Sequence, residues 1–299
     1  MPRWSTIRSY FVPPATRGAR DRATDRPEHE ARQEHRDAQP AQVWVASSGE
    51  APFMPLPRSA MLPGMDLPAT MAALEKLGNA QMRKTWATHG ATGEFFGVKI
   101  GDMKGLVKRI KGRHELAIEL YATGNLDAMY LAGLVADPAR MSIRDLDTWV
   151  EAARWKMISE YTVPWVAAES PHGRHVALRW IDAKNPRIAA AGWNTYAGIV
   201  ALRADAELDL LEIDGLLRRV ERDIGKAQDR VRYCMNGFVI AVGAAVKPLL
   251  GKAKATARSL GKVDVDMGGT SCKVPPALMT IEKIEAMGRV GKKRETMRC

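Results

Sequence analysis

Cysteine is nearly absent: Cys234, Cys272 and Cys299 are the three in 299 residues. They are too few and too scattered for a disulfide framework or a zinc finger, which implies a reducing, intracellular home. Long apolar runs are missing too. The longest, 237–246, stops at Lys247, well short of the ~18 residues that read as a membrane span, and reads instead as a buried helix. The N-terminus lacks the apolar core of a secretory signal. Its first twenty residues carry Arg3, Arg8, Arg17 and Arg20 without an acid, a faint transit-peptide look, although composition alone favours a floppy start. Alternating β-type runs are almost missing, and the one short candidate, GKVDVD at 261–266, reads as a loop. A sheet-based fold is thereby excluded.

The signatures of several enzyme classes are also lacking. Gly251-Lys252 has neither the glycine spacing nor the following Ser or Thr of a phosphate-binding loop. No dinucleotide fingerprint follows a strand. His114-Glu115 opens like a zinc-protease helix, but Ile118 stands where the second His belongs. His172 and His175 frame a turn and read as solvated residues. Gly268-Gly269-Thr270-Ser271-Cys272-Lys273 offers only a weak anion nest. Neither a cofactor nor a metal is expected.

What is present is positive charge and helical periodicity. Forty-five Lys and Arg against 34 Asp and Glu give a net charge of +11 and a pI near 9.7, which suits a polyanionic partner such as nucleic acid. Residues 1–64 hold nine Arg, seven acids and nine Pro without periodicity, so they read as a disordered extension. Order is expected to begin at 66–69. From there apolar residues recur three or four apart through 110–120, 126–135 and 146–153, with Asn125 and Ser142 placed as N-caps. A ladder from Ile213 through Leu217, Val220, Ile224, Ala227, Val231, Met235 and Phe238 to Val242 keeps the same spacing, as one helix or a broken hairpin. The chain is therefore all-α, a globular bundle or a HEAT-like α-solenoid of antiparallel helix pairs.

Two stripes of cations accompany these helices. Lys104, Lys108 and Lys111, beside Arg109 and Arg113, line the first; Arg218, Arg222, Lys226 and Arg230 form the second, with Arg232 close by. Such stripes either track phosphates or merely solvate a helix face. From residue 244 onward 12 basic residues face 5 acidic ones, and the run Lys292, Lys293, Arg294 is expected to help hold a phosphate backbone. Phe (5) and Tyr (6) are scarce beside 8 Trp, of which Trp149, Trp155, Trp165, Trp180 and Trp193 fall close together. Most should be core, with one or two available to stack on sugars or bases.

Glu94-Phe95-Phe96-Gly97-Val98, His114-Glu115-Leu116-Ala117, the run LYATGNLDAMYLAGLVADPARMSIRDLDTWV at 120–150, Ala191-Gly192-Trp193 and the helix over 231–243 together resemble the DNA alkylation repair family. The resemblance covers about residues 70–245. It implies a HEAT-like domain at 65–250 that binds double-stranded DNA, possibly alkylated, in a basic groove, followed by a basic extension at 251–299. It further implies a monomer in the cytoplasm, associated with the nucleoid. Catalytic members excise N3- or N7-alkylated purines with a Trp followed four residues later by Asp. Here Trp155 matches the Trp, Ser159 replaces the Asp, and Glu160 is the nearest carboxylate, one helical step of about 100° away. Ala190, Gly237 and Ile240 also depart from the family pattern. By resemblance Trp155 and Glu160 are the catalytic candidates, and Lys104, Lys108, Trp193, Arg218, Arg222, Arg232, Lys292, Lys293 and Arg294 the DNA-binding ones. Two readings stay open: a DNA-binding protein of the alkylation repair type, with excision of alkylpurines undecided, and a non-catalytic scaffold that recognises DNA structure or a protein.

Overall fold

Helices begin where the sequence supplies a side-chain cap. Asp66 accepts the Ala69 amide ahead of α1 (Leu67–Leu77), and Asn79 accepts that of Met82 ahead of α2 (Ala80–Thr88). Asn125 takes the amides of Asp127 and Ala128 at the start of α5 (Leu126–Val135), and Ser142 forms a reciprocal capping box with Asp145 at α6 (Ile143–Ala152). Each cap satisfies amides that lack an intrahelical partner and contributes about 1 kcal/mol. The computed structural model describes residues 65–298. Its other helices are α3 (Lys104–Ile110), α4 (His114–Ala122), α7 (Val163–Glu169), α8 (Gly173–Ile181), α9 (Pro186–Leu202), α10 (Leu210–Asp223), α11 (Asp229–Ala245), α12 (Leu250–Leu260) and α13 (Ala277–Ala286). Among the described residues the only β-type pairing is an isolated bridge between Gly78 and Val98. The expectation of a disordered 1–64 segment falls outside the described residues, as does Cys299.

Successive helices form antiparallel pairs because short loops leave them no other neighbour. α5, α7, α9 and α11 stack side by side as one row, and α4, α6, α8, α10 and α12 lie in the other. This is the HEAT-like arrangement expected from the periodicity. α9 is the keystone, packed on α7, α8 and α11. Its Ala189-Ala190-Ala191-Gly192 stretch permits the approach: a Cβ on Gly192 would stand 2.5 Å from the Ile181 nitrogen. The long apolar ladder is a broken hairpin, α10 ending in a single 3-10 turn at Ile224–Lys226 before α11. Phe238 to Val246 is buried throughout, as a core helix requires.

The loop at 94–98 is pinned by one carboxylate. Asp127, fully buried in the first turn of α5, accepts the amides of Phe96, Gly97 and Val98 at 2.6, 3.0 and 2.8 Å. Gly97 takes φ +75°, and a Cβ there would meet the Arg83 backbone at 2.7 Å. The matching runs at 94–98 and 120–150 are thus two halves of one structural lock. Burial raises the Asp127 pKa, and the three amides offset part of that rise.

The residues of the basic C-terminal extension lie along the helices. α12 and α13 pack on α11. Beyond α13 the chain crosses the C-terminal ends of α11, α9, α7 and α5 in turn. The Gly291 amide donates to Ala244 O, the Arg294 amide to Ala201 O, and Lys293 Nζ to Val200 O. Thr296 Oγ1 and the Met297 amide both donate to Glu169 Oε1, and Arg298 Nη1 reaches Leu134 O and Ala136 O at 3.3 and 2.8 Å. Lys293 also pairs with Asp205 and Arg298 with Glu169. Helix C-termini present unsatisfied carbonyls and partial negative charge, so cations stabilise them. The strap shows that the C-terminal ends of all four helices share one edge.

Candidate nucleic-acid interface

The candidate catalytic pair lies where α7 is irregular. A π turn, Ile158–Thr162, precedes α7 and closes hydrogen bonds between residues five apart, one more than an α turn. Glu160 lies inside this turn, so the regular helical step of about 100° does not apply to it. Pro164 has no amide to give the carbonyl four residues earlier, and Asn194 Nδ2 donates to that Glu160 carbonyl at 2.7 Å instead. Ser159, in the place of the family Asp, is 1% exposed, and its hydroxyl has no partner among the described residues.

Glu160 itself is taken. Arg230 from α11 grips its carboxylate with both Nε, at 2.8 Å, and Nη2, and the Glu160 side chain is only 2% exposed. The guanidinium lies over the Tyr233 ring, 4.4 Å from its centroid, and Nη1 reaches Met267 Sδ at 3.6 Å. Met267 comes from the C-terminal extension, which therefore lines the Glu160 site. Burial would lower the Arg230 pKa, but the hydrogen bond from its own guanidinium to Glu160 more than reverses this and holds the charge on. Burial, aided by Arg230, lowers the pKa of nearby Lys156. With Arg230 and Lys156 against Glu160, the neighbourhood is cationic. Burial also pushes up the Tyr161, Tyr233 and Cys234 pKa values, which keeps these groups neutral.

The described tryptophans are core residues. Trp155, 3% exposed, packs against Trp86 at 4.7 Å and donates Nε1 to His89 O at 3.1 Å. It is not placed to stack on a nucleotide, which corrects that expectation. Trp193 is fully buried against Phe238, with Arg219 at 6.0 Å from its ring, and leaves the DNA-binding set as well. Trp149 stacks on Tyr121 at 3.9 Å, and Trp180 donates to Asp147 at 2.9 Å.

The basic stripes separate by whether acids already hold them. Arg218 pairs with Asp214, Arg222 with Asp223 and Arg232 with Asp229. The second stripe is therefore largely neutralised on its own surface. Lys293 is spent in the strap, the Arg294 amide is bonded there, and Lys292 stays exposed. By contrast Lys104, Lys108, Arg109 and Lys111 are all exposed and have no ion-pair partner among the described residues. Lys99 stands exposed just before them, with Asp102 the one acid between residues 99 and 111. The sequence already shows Glu221, Asp223 and Asp229 diluting the second stripe, and two of these acids hold its arginines. Sequence reasoning missed Arg230 as the partner of Glu160, although Pro164 was a visible sign of a disturbed helix.

Among the described residues no cluster of three or more His, Cys, Asp or Glu could hold a metal. His114 is buried and its Nδ1 accepts the Asp137 amide at 3.2 Å. No single helix described is long and apolar enough to cross a membrane.

Residues 70–253 match a family model described as DNA alkylation repair enzyme. Lin0241 of Listeria innocua and Lmo0209 of Listeria monocytogenes, both described as uncharacterized proteins, are each 32% identical over 216 residues, 70% of this chain and 93% of theirs. A solved structure described as "A new family of proteins related to the HEAT-like repeat DNA glycosylases with affinity for branched DNA structures" is 37% identical, with a TM-score of 0.73. That likeness covers 79% of this chain and all of the solved one.

Proposed function

The chain belongs to the DNA alkylation repair family, and from that membership we propose that it binds DNA by shape and backbone charge without excising a base. The observation that carries this reading is the Glu160–Arg230 grip. Excising an alkylated purine needs an uncompensated carboxylate beside the developing sugar cation. Glu160 is neutralised bidentately, buried, and flanked by a second cation, Lys156, while Ser159 carries no charge. A cationic neighbourhood repels a sugar cation and attracts phosphate.

Binding needs less, and what it needs is present. The exposed stripe over Lys104, Lys108, Arg109 and Lys111 is free to contact phosphates. With the described tryptophans buried, little remains on the surface for stacking on bases, so recognition rests on the geometry of the backbone. The relative with affinity for branched DNA supports the same partner class. The test is affinity at one fixed salt concentration for a four-way junction and for a linear duplex of equal length. Tighter junction binding, with no abasic sites formed in N7- or N3-methylpurine duplex, is expected. Equal affinity for both would remove the structural preference, and base release would overturn the reading.

A further inference from the structure

The strap fixes more than stability: because it touches the C-terminal ends of α11, α9, α7 and α5 on one edge, the N-terminal ends of those helices share the other. On that second edge the loops entering α7, α9 and α11 each carry one exposed lysine or arginine: Arg154, Lys184 and Lys226. None of the three has an ion-pair partner among the described residues. The acids near them are mostly committed, Asp182 to Arg219, Asp223 to Arg222 and Asp229 to Arg232, which leaves Glu151 as the exposed exception. Arg187, bonded to the Glu151 carbonyl, and Lys156 add further positive charge at the same helix ends.

We infer that Arg154, Lys184 and Lys226 form a phosphate-tracking row, one cation per helix pair, along this edge. The inference rests on the DNA-binding reading and says where the backbone lies. Neighbouring packed helices stand ~10 Å apart, so three successive loops span ~20 Å. Duplex DNA advances about 3.4 Å per base pair, so the row matches the backbone of about six pairs. The strapped edge also carries exposed cations, Arg203, Lys247 and Lys292, but there the chain itself runs across the helix ends. There Asp205 and Glu169 are matched by Lys293 and Arg298, and Arg140 is held by Glu115.

The full chain with Arg154→Gln, Lys184→Gln and Lys226→Gln tests this, since all three side chains are exposed and their loss leaves no buried group unpaired. The control removes the same charge from three paired arginines: Arg140→Gln, Arg174→Gln and Arg179→Gln. Affinity for a DNA duplex is measured from 50 to 200 mM salt, with thermal unfolding as the folding check. Each lost phosphate contact lowers the slope of log affinity against log salt by about one, so the row variant should lose about three and the control close to nothing. Equal slope losses in both variants would make the effect one of net charge and overturn the row. An unchanged slope in the row variant would overturn it too, while leaving DNA binding intact. Wild type that binds no DNA would overturn both readings.

Discussion

At Glu160 and Arg230 a single buried contact decides between chemistry and architecture. Removing one partner of a buried ion pair leaves the other charge uncompensated and costs about 3 kcal/mol or more. Glu160→Gln should therefore lower unfolding stability by ~3 kcal/mol in urea, and adding Arg230→Met should restore part of the loss. A carboxylate kept for catalysis would behave otherwise, with stability held and a rate lost. Glu115 gives a second test, at the surface. The hydrogen bond from Arg140 holds its pKa down at about 2, against an ordinary 4.5. A depressed carboxylate pKa stabilises the fold above the unfolded value, and the contribution is lost as pH falls from 4.5 through about 2. A carboxyl-resolved NMR titration should find Glu115 near 2 in wild type and back in the usual range in Arg140→Gln. An unchanged midpoint in the variant would show that Arg140 is not the cause.

Elements were legible where local chemistry governs them. Asn125 and Ser142 cap the helices they were expected to cap, and the three- and four-residue spacings place α5, α6, α10 and α11. The π turn before α7 was not legible, because it depends on Pro164 and on Asn194 arriving from α9 to take the freed carbonyl. The strap was not legible for a related reason: a cationic run looks the same whether it meets phosphate or helix carbonyls. Its use is set by Glu169, Asp205 and the ends of α5 and α9, all distant in sequence. Truncation after Lys292 should lower stability by roughly 3 kcal/mol, about 10 °C in unfolding midpoint for a domain of this size. The salt slope of DNA binding should stay within one of wild type. A large slope loss with the midpoint unchanged would return the tail to the DNA.

Across the whole molecule the fold was open to sequence reasoning and the site only partly so. Periodicity reports which face of a helix is buried, and a stack of helix pairs follows from it. Charge pairing is legible only where it is local: Asp214 lies one helical turn before Arg218, whereas Glu160 and Arg230 meet from different parts of the chain. Burial of Trp155 and Trp193 likewise depends on Trp86 and Phe238, which the chain brings in from elsewhere. The central claim is that this scaffold keeps the DNA-binding architecture of its family while its carboxylate is locked away. Single-turnover incubation of excess wild-type protein with duplex containing N7-methylguanine, with binding verified in the same reaction, tests that claim most directly. Bound duplex with no free base released is the predicted result; release of N7-methylguanine that disappears in Glu160→Gln would contradict it.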